Sequence, residues 1–256
     1  MCGRYTLTAS PEDVRRLFEY IEQPNFPPRY NICPTQPIGL VKNEHGGRHF
    51  ALARWGLVPS WVKDPASFTL LINARAETVL EKPSFKNAMK HRRCLIPLTG
   101  FYEWKSEGSK KQPYYISSQS GESLAVAGLW ETWSHPDGGD IDTAALLTVQ
   151  SNDDLKSIHH RMPALIERRD FEAWLNTDDV LSRHAVHYLK PADASTLQAV
   201  PVSQQVNNRA LDLPELIEPV KLQKAEGQTV LNSTSKQTGK TKKQERSENP
   251  QQLDLF

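Results

Sequence analysis

The chain has 256 residues, a formal net charge of +1, 38% hydrophobic residues and three cysteines. This length can bury a sizeable core, and the near-zero charge excludes a generally basic nucleic-acid coat while leaving room for a locally basic groove. No apolar run approaches the length that spans a bilayer, and the first residues lack a signal-peptide pattern, so we expect a cytosolic protein.

The first predicted element is a helix over residues 10–21, SPEDVRRLFEYI. Ser10 is a suitable N-cap and Pro11 fits the first helical position, while the two acidic residues that follow favour the positive end of the helix dipole. The apolar positions predicted to share the buried face of this helix are Val14, Leu17, Phe18 and Ile21.

The middle of the chain has the pattern of β-strands. Residues 37–42 and 48–55 flank the turn sequence EHGG, which predicts a hairpin. Further apolar, β-branched or aromatic runs are predicted as strands at residues 94–105, 112–118, 124–133 and 144–151.

Helical patterns return at residues 83–91 and 168–176. Few helices combined with many short strands predict an α+β domain with a curled, mainly antiparallel β-sheet core and flanking helices. We assign this folded domain to residues 1–221, because the composition changes near residue 221.

Residues 222–250 are rich in Gln, Ser, Thr and Lys and have few large apolar residues, which predicts a disordered polar linker. Residues 251–256, QQLDLF, are a separate short peptide with three large apolar residues. Its residues Gln252, Leu253, Leu255 and Phe256 resemble the motif by which bacterial polymerases and repair proteins dock into the sliding clamp. That resemblance implies a bacterial source and a sliding clamp as partner.

Cys2 follows the initiator methionine directly. If Met1 is removed, Cys2 carries an amine and a thiol whose ordinary pKa values are near ~8 and ~8.5. Such an aminothiol captures an aldehyde as an imine, and the thiolate then closes on the imine carbon to give a thiazolidine. Two other interpretations remain open: amide attack, as in N-terminal-nucleophile hydrolases, and a cysteine without function. The chain has two further cysteines, Cys33 and Cys94. The spacing of the three cysteines fits neither a disulfide framework nor a metal site.

Three polar residues interrupt apolar stretches elsewhere: Asn73 in LLINARAET, Glu103 in GFYEWK and His159 in IHHRMPALI. Burial raises the pKa of a carboxyl group, so Glu103 is a candidate proton shuttle, and a histidine is a candidate general acid. The alternatives are a salt-bridged glutamate, a core histidine, and an asparagine that caps a helix over ARAET.

Seven stretches occur in order: MCGRYT, RYNICPTQ, RWGLVPSW, LINARAET, GFYEWK, IHHRMP and PVSQQVNN. This series resembles the motifs of the SRAP (SOS-response-associated peptidase) family, which includes abasic-site-processing proteins, and it covers residues 2 to 210. The resemblance implies the SRAP fold and places the catalytic residues at Cys2, Asn73, Glu103 and His159.

The resemblance also implies roles for these residues and a substrate, the abasic site in single-stranded DNA. Cys2 would form the imine and then the thiazolidine, while Asn73 orients the amine and the sugar. Glu103 would move protons at the Cys2 amine and serve in removing Met1, and His159 would protonate the sugar oxygen. We leave His160 unassigned, because neighbouring residues of an extended segment point to opposite faces.

DNA contacts are expected beside these motifs, with arginines for phosphates and tryptophans for stacking on bases. The DNA-binding residues so predicted are Arg4, Asn31, Trp61, Arg75, Trp104, Thr148 and Arg161. No metal or organic cofactor is expected, because the substrate itself supplies the electrophile, and we expect a monomer.

Two other classes of function remain open. The same residues suit an N-terminal cysteine peptidase of the SOS response, acting on itself or on other proteins, and the chain also suits a non-enzymatic module that binds single strands. Core packing is the alternative role for Trp104.

Overall fold

The computed structural model describes residues 2–108 and 110–222. Residues 251–256, with the predicted clamp-binding side chains, lie outside the described residues, as does nearly all of the predicted linker. Within the described part no helix has the length and apolarity to cross a bilayer.

The strands are β1 Tyr5–Leu7, β2 Arg29–Ile32, β3 Pro37–Glu44, β4 Gly47–Trp55, β5 Asn73–Arg75, β6 Arg93–Leu98, β7 Gly100–Glu107, β8 Lys110–Ser118, β9 Leu124–Ser134, β10 Asp140–Gln150, β11 Arg161–Pro163 and β12 Leu197–Pro201. The α-helices are α1 Pro11–Phe18, α2 Pro83–His91, α3 Phe171–Leu175 and α4 Ser182–Ala185. Short 3₁₀ turns cover Ala76–Thr78, Arg168–Asp170, Val186–Tyr188, Gln204–Asn207 and Pro214–Ile217.

Two β-sheets build the fold. The first is antiparallel throughout, with the order β12-β8-β7-β1-β2. In the second, β10, β4, β3, β6 and β9 follow one another and β9 pairs back with β10, so this sheet closes on itself like a barrel. Strands β5 and β11 also pair with β10. The pairings of β10 with β4 and β5 are parallel and the others described are antiparallel, so the predicted curled, mainly antiparallel sheet is confirmed.

The first helix is shorter than predicted. Ser10 caps it by accepting a hydrogen bond from the Asp13 amide, as expected, but Glu19 adopts the left-handed conformation with φ of 57° and ends the helix. Val14 and Phe18 are buried on its inner face. Ile21 lies beyond the helix and its side chain is 60% exposed, so the prediction that Ile21 shares this face is wrong.

The hairpin predicted around EHGG is confirmed by the β3–β4 pairing, which runs from Pro37↔Arg54 to Glu44↔Gly47. His45 and Gly46 have φ values of 50° and 78°. Positive φ at both central residues is typical of the type I′ turn, whose twist matches that of the flanking strands.

Residues 94–105, predicted as one run, form two strands in different sheets. Leu98 pairs with Leu124 in the barrel, whereas Gly100 pairs with Ser117 in the first sheet. A Cβ atom at Gly100 would lie 2.4 Å from the Tyr115 ring, so only glycine permits this close approach where the chain changes sheets. This crossover links the two sheets beside the first strand of the chain.

Candidate active site

Cys2 lies just ahead of β1, the strand between β7 and β2 in the first sheet. Its side chain is fully buried, and its thiol donates a long hydrogen bond of 3.8 Å to the Arg4 carbonyl. Burial raises the pKa of this thiol, and the charge of Glu103 raises it further. The thiol is therefore neutral at rest and needs a base before it can attack.

Glu103 lies on β7, the strand that pairs Phe101 with Tyr5 of β1. The Tyr102 amide also donates to the Arg4 carbonyl, at 2.9 Å, which holds this part of β7 alongside the residues after Cys2. Glu103 is 3% exposed, and burial raises the pKa of its carboxyl group to about 7. A carboxyl group in this range can both accept and release a proton near neutral pH.

Asn73 comes from the second sheet. It begins β5, where it lies opposite Leu146 of β10. Its side-chain Nδ2 donates to the Cys2 carbonyl oxygen at 2.8 Å, so it ties the N-terminal segment to the barrel. Its Oδ1 is buried without a hydrogen-bond partner among the described residues. The alternative in which Asn73 caps a helix is wrong, because Arg75 precedes the short 3₁₀ turn instead.

His159 lies two residues before β11. Its Nδ1 is 3.8 Å from Oε1 of Glu103, and together they line a small pocket with Leu155 and Ile158. The Arg161 amide donates to Nδ1 at 3.0 Å, while the Arg161 carbonyl lies 3.1 Å from the same nitrogen. Nδ1 can thus accept or donate, as a proton carrier requires.

Burial lowers the pKa of His159. The Arg161 carbonyl opposes this, and the positive charges of the chain terminus, His160 and Arg161 add to the lowering. The His160 ring does not point away from His159: the ring centroids are 4.4 Å apart with an angle of 33° between the planes. The expectation that the two side chains lie on opposite faces is wrong, because the segment before β11 is not a regular strand.

Arg161 and Thr148 are buried beside this site. Arg161 forms a bidentate ion pair with Glu77, at 2.5 and 2.9 Å, and donates to the Thr148 carbonyl and hydroxyl oxygens at 2.5 and 3.2 Å. The Thr148 hydroxyl donates to the Ala74 carbonyl at 3.3 Å. The Arg161 Nε has no hydrogen-bond partner among the described residues. Contact of either residue with DNA stays a prediction.

Arg4 and Asn31 join the first sheet to the segment after β12. Arg4 donates to Asn31 Oδ1 at 2.8 Å and to the Val206 carbonyl at 2.5 Å. The amide group of Asn31, which is 1% exposed, donates to the carbonyls of Asn208 and Leu211 at 3.1 and 2.7 Å. Both side chains therefore join the first sheet to residues 206–211, and contact of either with DNA stays a prediction.

The other predicted DNA-binding residues are more accessible. Trp61 is 59% exposed and packs edge-on against Phe68. Trp104 is half-buried, donates from Nε1 to Asn207 Oδ1 at 2.9 Å and lies under the Arg4 guanidinium at 5.9 Å, whereas Arg75 is exposed. The side chains of Trp61 and Arg75 are therefore exposed to solvent, and neither has to move before a DNA strand could reach it.

Glu77, Tyr5 and Asp212 contribute to this region and were not predicted. Glu77 lies in the same LINARAET motif as Asn73, which is a signal that could have marked it as a site residue. The sequence gives no sign of its ion pair with Arg161. Tyr5 packs on Trp55 with ring centroids 5.3 Å apart, and its buried hydroxyl has no partner among the described residues. Asp212 accepts hydrogen bonds from Tyr30 and Asn31 amides, and nothing in the sequence distinguishes it.

The site brings together the four predicted catalytic residues from both sheets: Cys2 and Glu103 from the first, Asn73 and His159 from the barrel. No group of three or more His, Cys, Asp or Glu side chains in the described ranges is arranged to hold a metal ion. The arrangement offers a nucleophile, two proton carriers and a hydrogen-bonding amide.

The sequence is similar to proteins of one family. The family model described as SOS response associated peptidase (SRAP) matches residues 1–209. The abasic site processing protein YoqW of Bacillus subtilis is 37% identical over 222 residues, which cover 85% of this chain and 99% of the relative. The abasic site processing protein HMCES of Gallus gallus is 32% identical, over 87% of this chain and 79% of the relative.

A crystal structure of a protein from Bacteroides thetaiotaomicron has the same fold, with a TM-score of 0.79 and 25% sequence identity. The match covers 86% of this chain and 100% of the other. Together with the near-complete family match, these findings show that the chain belongs to the SRAP family.

Proposed function

We propose that this protein captures abasic sites in single-stranded DNA by forming a covalent thiazolidine through Cys2. The names of the relatives support the substrate. The observation that carries the proposal is the convergence of a buried thiol, a carboxyl group with a pKa of about 7 and an imidazole 3.8 Å from that carboxyl group.

The first bond forms at the open-chain aldehyde of the abasic deoxyribose. With Met1 removed, the Cys2 amine adds to the aldehyde carbon, and the carbinolamine loses water to give an imine. Protonated His159 donates a proton to the ring oxygen during ring opening and recovers one from the anomeric hydroxyl, which becomes the aldehyde. Glu103 accepts each proton that the nitrogen loses and passes it to His159, 3.8 Å away, and His159 delivers it to the departing hydroxyl, so Glu103 is again a carboxylate before the thiol reacts.

The second bond forms between sulfur and the imine carbon. The raised pKa of the thiol means that Cys2 must first give its proton to a base, and Glu103 is the buried carboxylate that influences it. The proton ends on the ring nitrogen of the thiazolidine, so the reaction consumes no cofactor. Asn73 holds the Cys2 carbonyl and offers its buried Oδ1 to the amine or to a sugar hydroxyl.

Removal of Met1 belongs to the same proposal. It creates the α-amine, and Glu103 is the residue we assign to this peptidase-like self-processing. The DNA strand would lie along Trp61, Arg75, Trp104 and Arg4, with stacking worth ~1–3 kcal/mol per base. Docking of residues 251–256 on a bacterial sliding clamp would bring the domain to replication sites, and titration of that peptide with purified clamp tests this part.

The function is tested with a labelled single-stranded oligonucleotide that carries one abasic site. We expect a band shifted on a denaturing gel and an intact mass equal to protein plus DNA minus one water. The matched control is the same oligonucleotide with a tetrahydrofuran analogue, which has no aldehyde and should give no adduct. Cleavage of a denatured protein substrate without any DNA adduct would instead support a peptidase.

A further inference from the structure

His159 is restrained by two different contacts. One edge of the ring, at Nδ1, lies against the Arg161 backbone and Glu103. Its face packs against the ring of His160, with centroids 4.4 Å apart. At this separation the two rings are in contact, with their planes tilted by 33°. The His160 ring is therefore a wall of the position that the His159 ring occupies.

We propose that His160 is a positioning residue, which holds the His159 imidazole by ring-to-ring packing and, when it is charged, disfavours a proton on the His159 ring. The inference rests on the proposed role of His159 as general acid. In this role His160 influences the orientation and the charge of the His159 ring and does not itself contact the substrate.

The electrostatic part follows from distance. Two imidazolium ions 4.4 Å apart repel each other, so a proton on one ring disfavours a proton on the other. A neutral ring stacked on a charged one does not have this cost. The charged groups around His159 are Glu103 on β7, Arg161 on β11 and the chain terminus, and burial and positive neighbours both lower the pKa of His159. His160 is the exposed member of this set.

The charge coupling is tested by NMR titration of the full chain with ¹³C-labelled histidine. In the wild type burial and positive neighbours, His160 among them, lower the pKa of His159. His160→Phe keeps an aromatic ring there without a charge, so the pKa of His159 should rise. His160→Asp places a negative charge there and should raise the pKa of His159 further. Identical His159 titration in all three proteins would overturn the proposal.

The positioning is tested by the rate of crosslinking to the abasic oligonucleotide at neutral pH. His160→Ala should be several-fold slower than His160→Phe, because only phenylalanine keeps a ring packed against His159. Equal rates for His160→Ala and the wild type would count against a positioning role. If the wild type itself forms no adduct, the proposed function fails, and the NMR titration then decides the charge coupling alone.

Discussion

Two regions of this molecule bury polar groups in opposite ways. At the arginine anchor, Arg93 is 1% exposed and donates to four backbone carbonyls at 2.6–3.1 Å. These carbonyls belong to Met89, Trp174, Asn176 and Val180. Among the described residues no carboxylate pairs with it. Burial lowers the pKa of Arg93 to about 10, so it stays charged at neutral pH.

In the candidate cleft around Cys2, Asn73, Glu103 and His159, polar atoms are buried but not all of them have a hydrogen-bond partner among the described residues. Asn73 Oδ1 and the neighbouring Tyr5 hydroxyl and Arg161 Nε have no hydrogen-bond partner among the described residues. A buried polar atom without a partner costs ~1–3 kcal/mol. The anchor therefore stabilises the fold with a hydrogen bond at every guanidinium nitrogen, whereas the cleft keeps buried polar atoms that a substrate or water can bind.

The largest effect is expected at the cleft, where one substitution should stop the covalent reaction without unfolding the protein. Cys2→Ser should abolish the heat-stable adduct while the protein still folds, because an oxygen ring closes far less stably than a sulfur ring. Adduct yield on a denaturing gel is the measurement. Cys33→Ser is the matched control, since Cys33 is also buried and we assign it no reaction. A normal adduct yield from Cys2→Ser would show that the Cys2 thiol does not form the covalent bond.

A smaller but still large effect is expected at the imidazole. His159→Ala should slow adduct formation by ~10²–10⁴-fold, the usual contribution of general acid–base catalysis, without eliminating it. Single-turnover rates measure this. His187→Ala is the matched control, because His187 is an exposed histidine far from His159 in sequence. This variant should form the adduct at the wild-type rate. If His160→Ala is slower than His159→Ala, the general acid is His160 instead.

Substitution of Arg93 should lower the stability of the fold and leave the covalent reaction unchanged. Arg93→Met removes the guanidinium donors from one carbonyl in the last turn of α2, one in the last turn of α3 and two after α3, and we expect a loss of ~3 kcal/mol or more in the free energy of unfolding. Urea unfolding gives this value. Arg93→Lys keeps the charge and part of the donors and should lose less. Adduct formation per folded molecule should persist in both, and equal stability of Arg93→Met and wild type would contradict the anchor.

The sequence predicts the cleft better than the anchor, for a physical reason. Cys2, Asn73, Glu103 and His159 lie in recognisable motifs, and the chemistry of an aminothiol is local to one residue. The anchor depends on where helices α2 and α3 end, and carbonyl groups at helix ends leave no trace in side-chain identity. Arg93 follows two other basic residues, His91 and Arg92, and nothing in that run marks it as the buried one.

Strand existence was also easier to predict than strand partners. The hairpin at EHGG follows from local turn chemistry, while the need for glycine where the chain changes sheets comes from the Tyr115 ring, which is distant in sequence. The contact between the His159 and His160 rings departs from the sequence expectation because alternation of side chains holds only in regular strands.

The last prediction compares the pH dependence of the two regions. The pKa of Glu103 is about 7 in the folded protein against an ordinary value of 4.5, because burial disfavours the charged form. The folded state therefore binds the proton more tightly than the unfolded state does. The stability that this gives is fully present below pH 4.5 and is lost as the pH rises through 7.

Glu103→Gln removes this titration and keeps the shape of the side chain. Urea unfolding at several pH values should show that the wild type loses stability relative to Glu103→Gln between pH 4.5 and 7. The anchor titrates only near pH 10, so Arg93→Lys should run parallel to the wild type over the same interval. Parallel curves for Glu103→Gln and the wild type would mean that Glu103 ionises normally. It would then be a fixed charge in the cleft, and the proton transfers assigned to it would need another carrier.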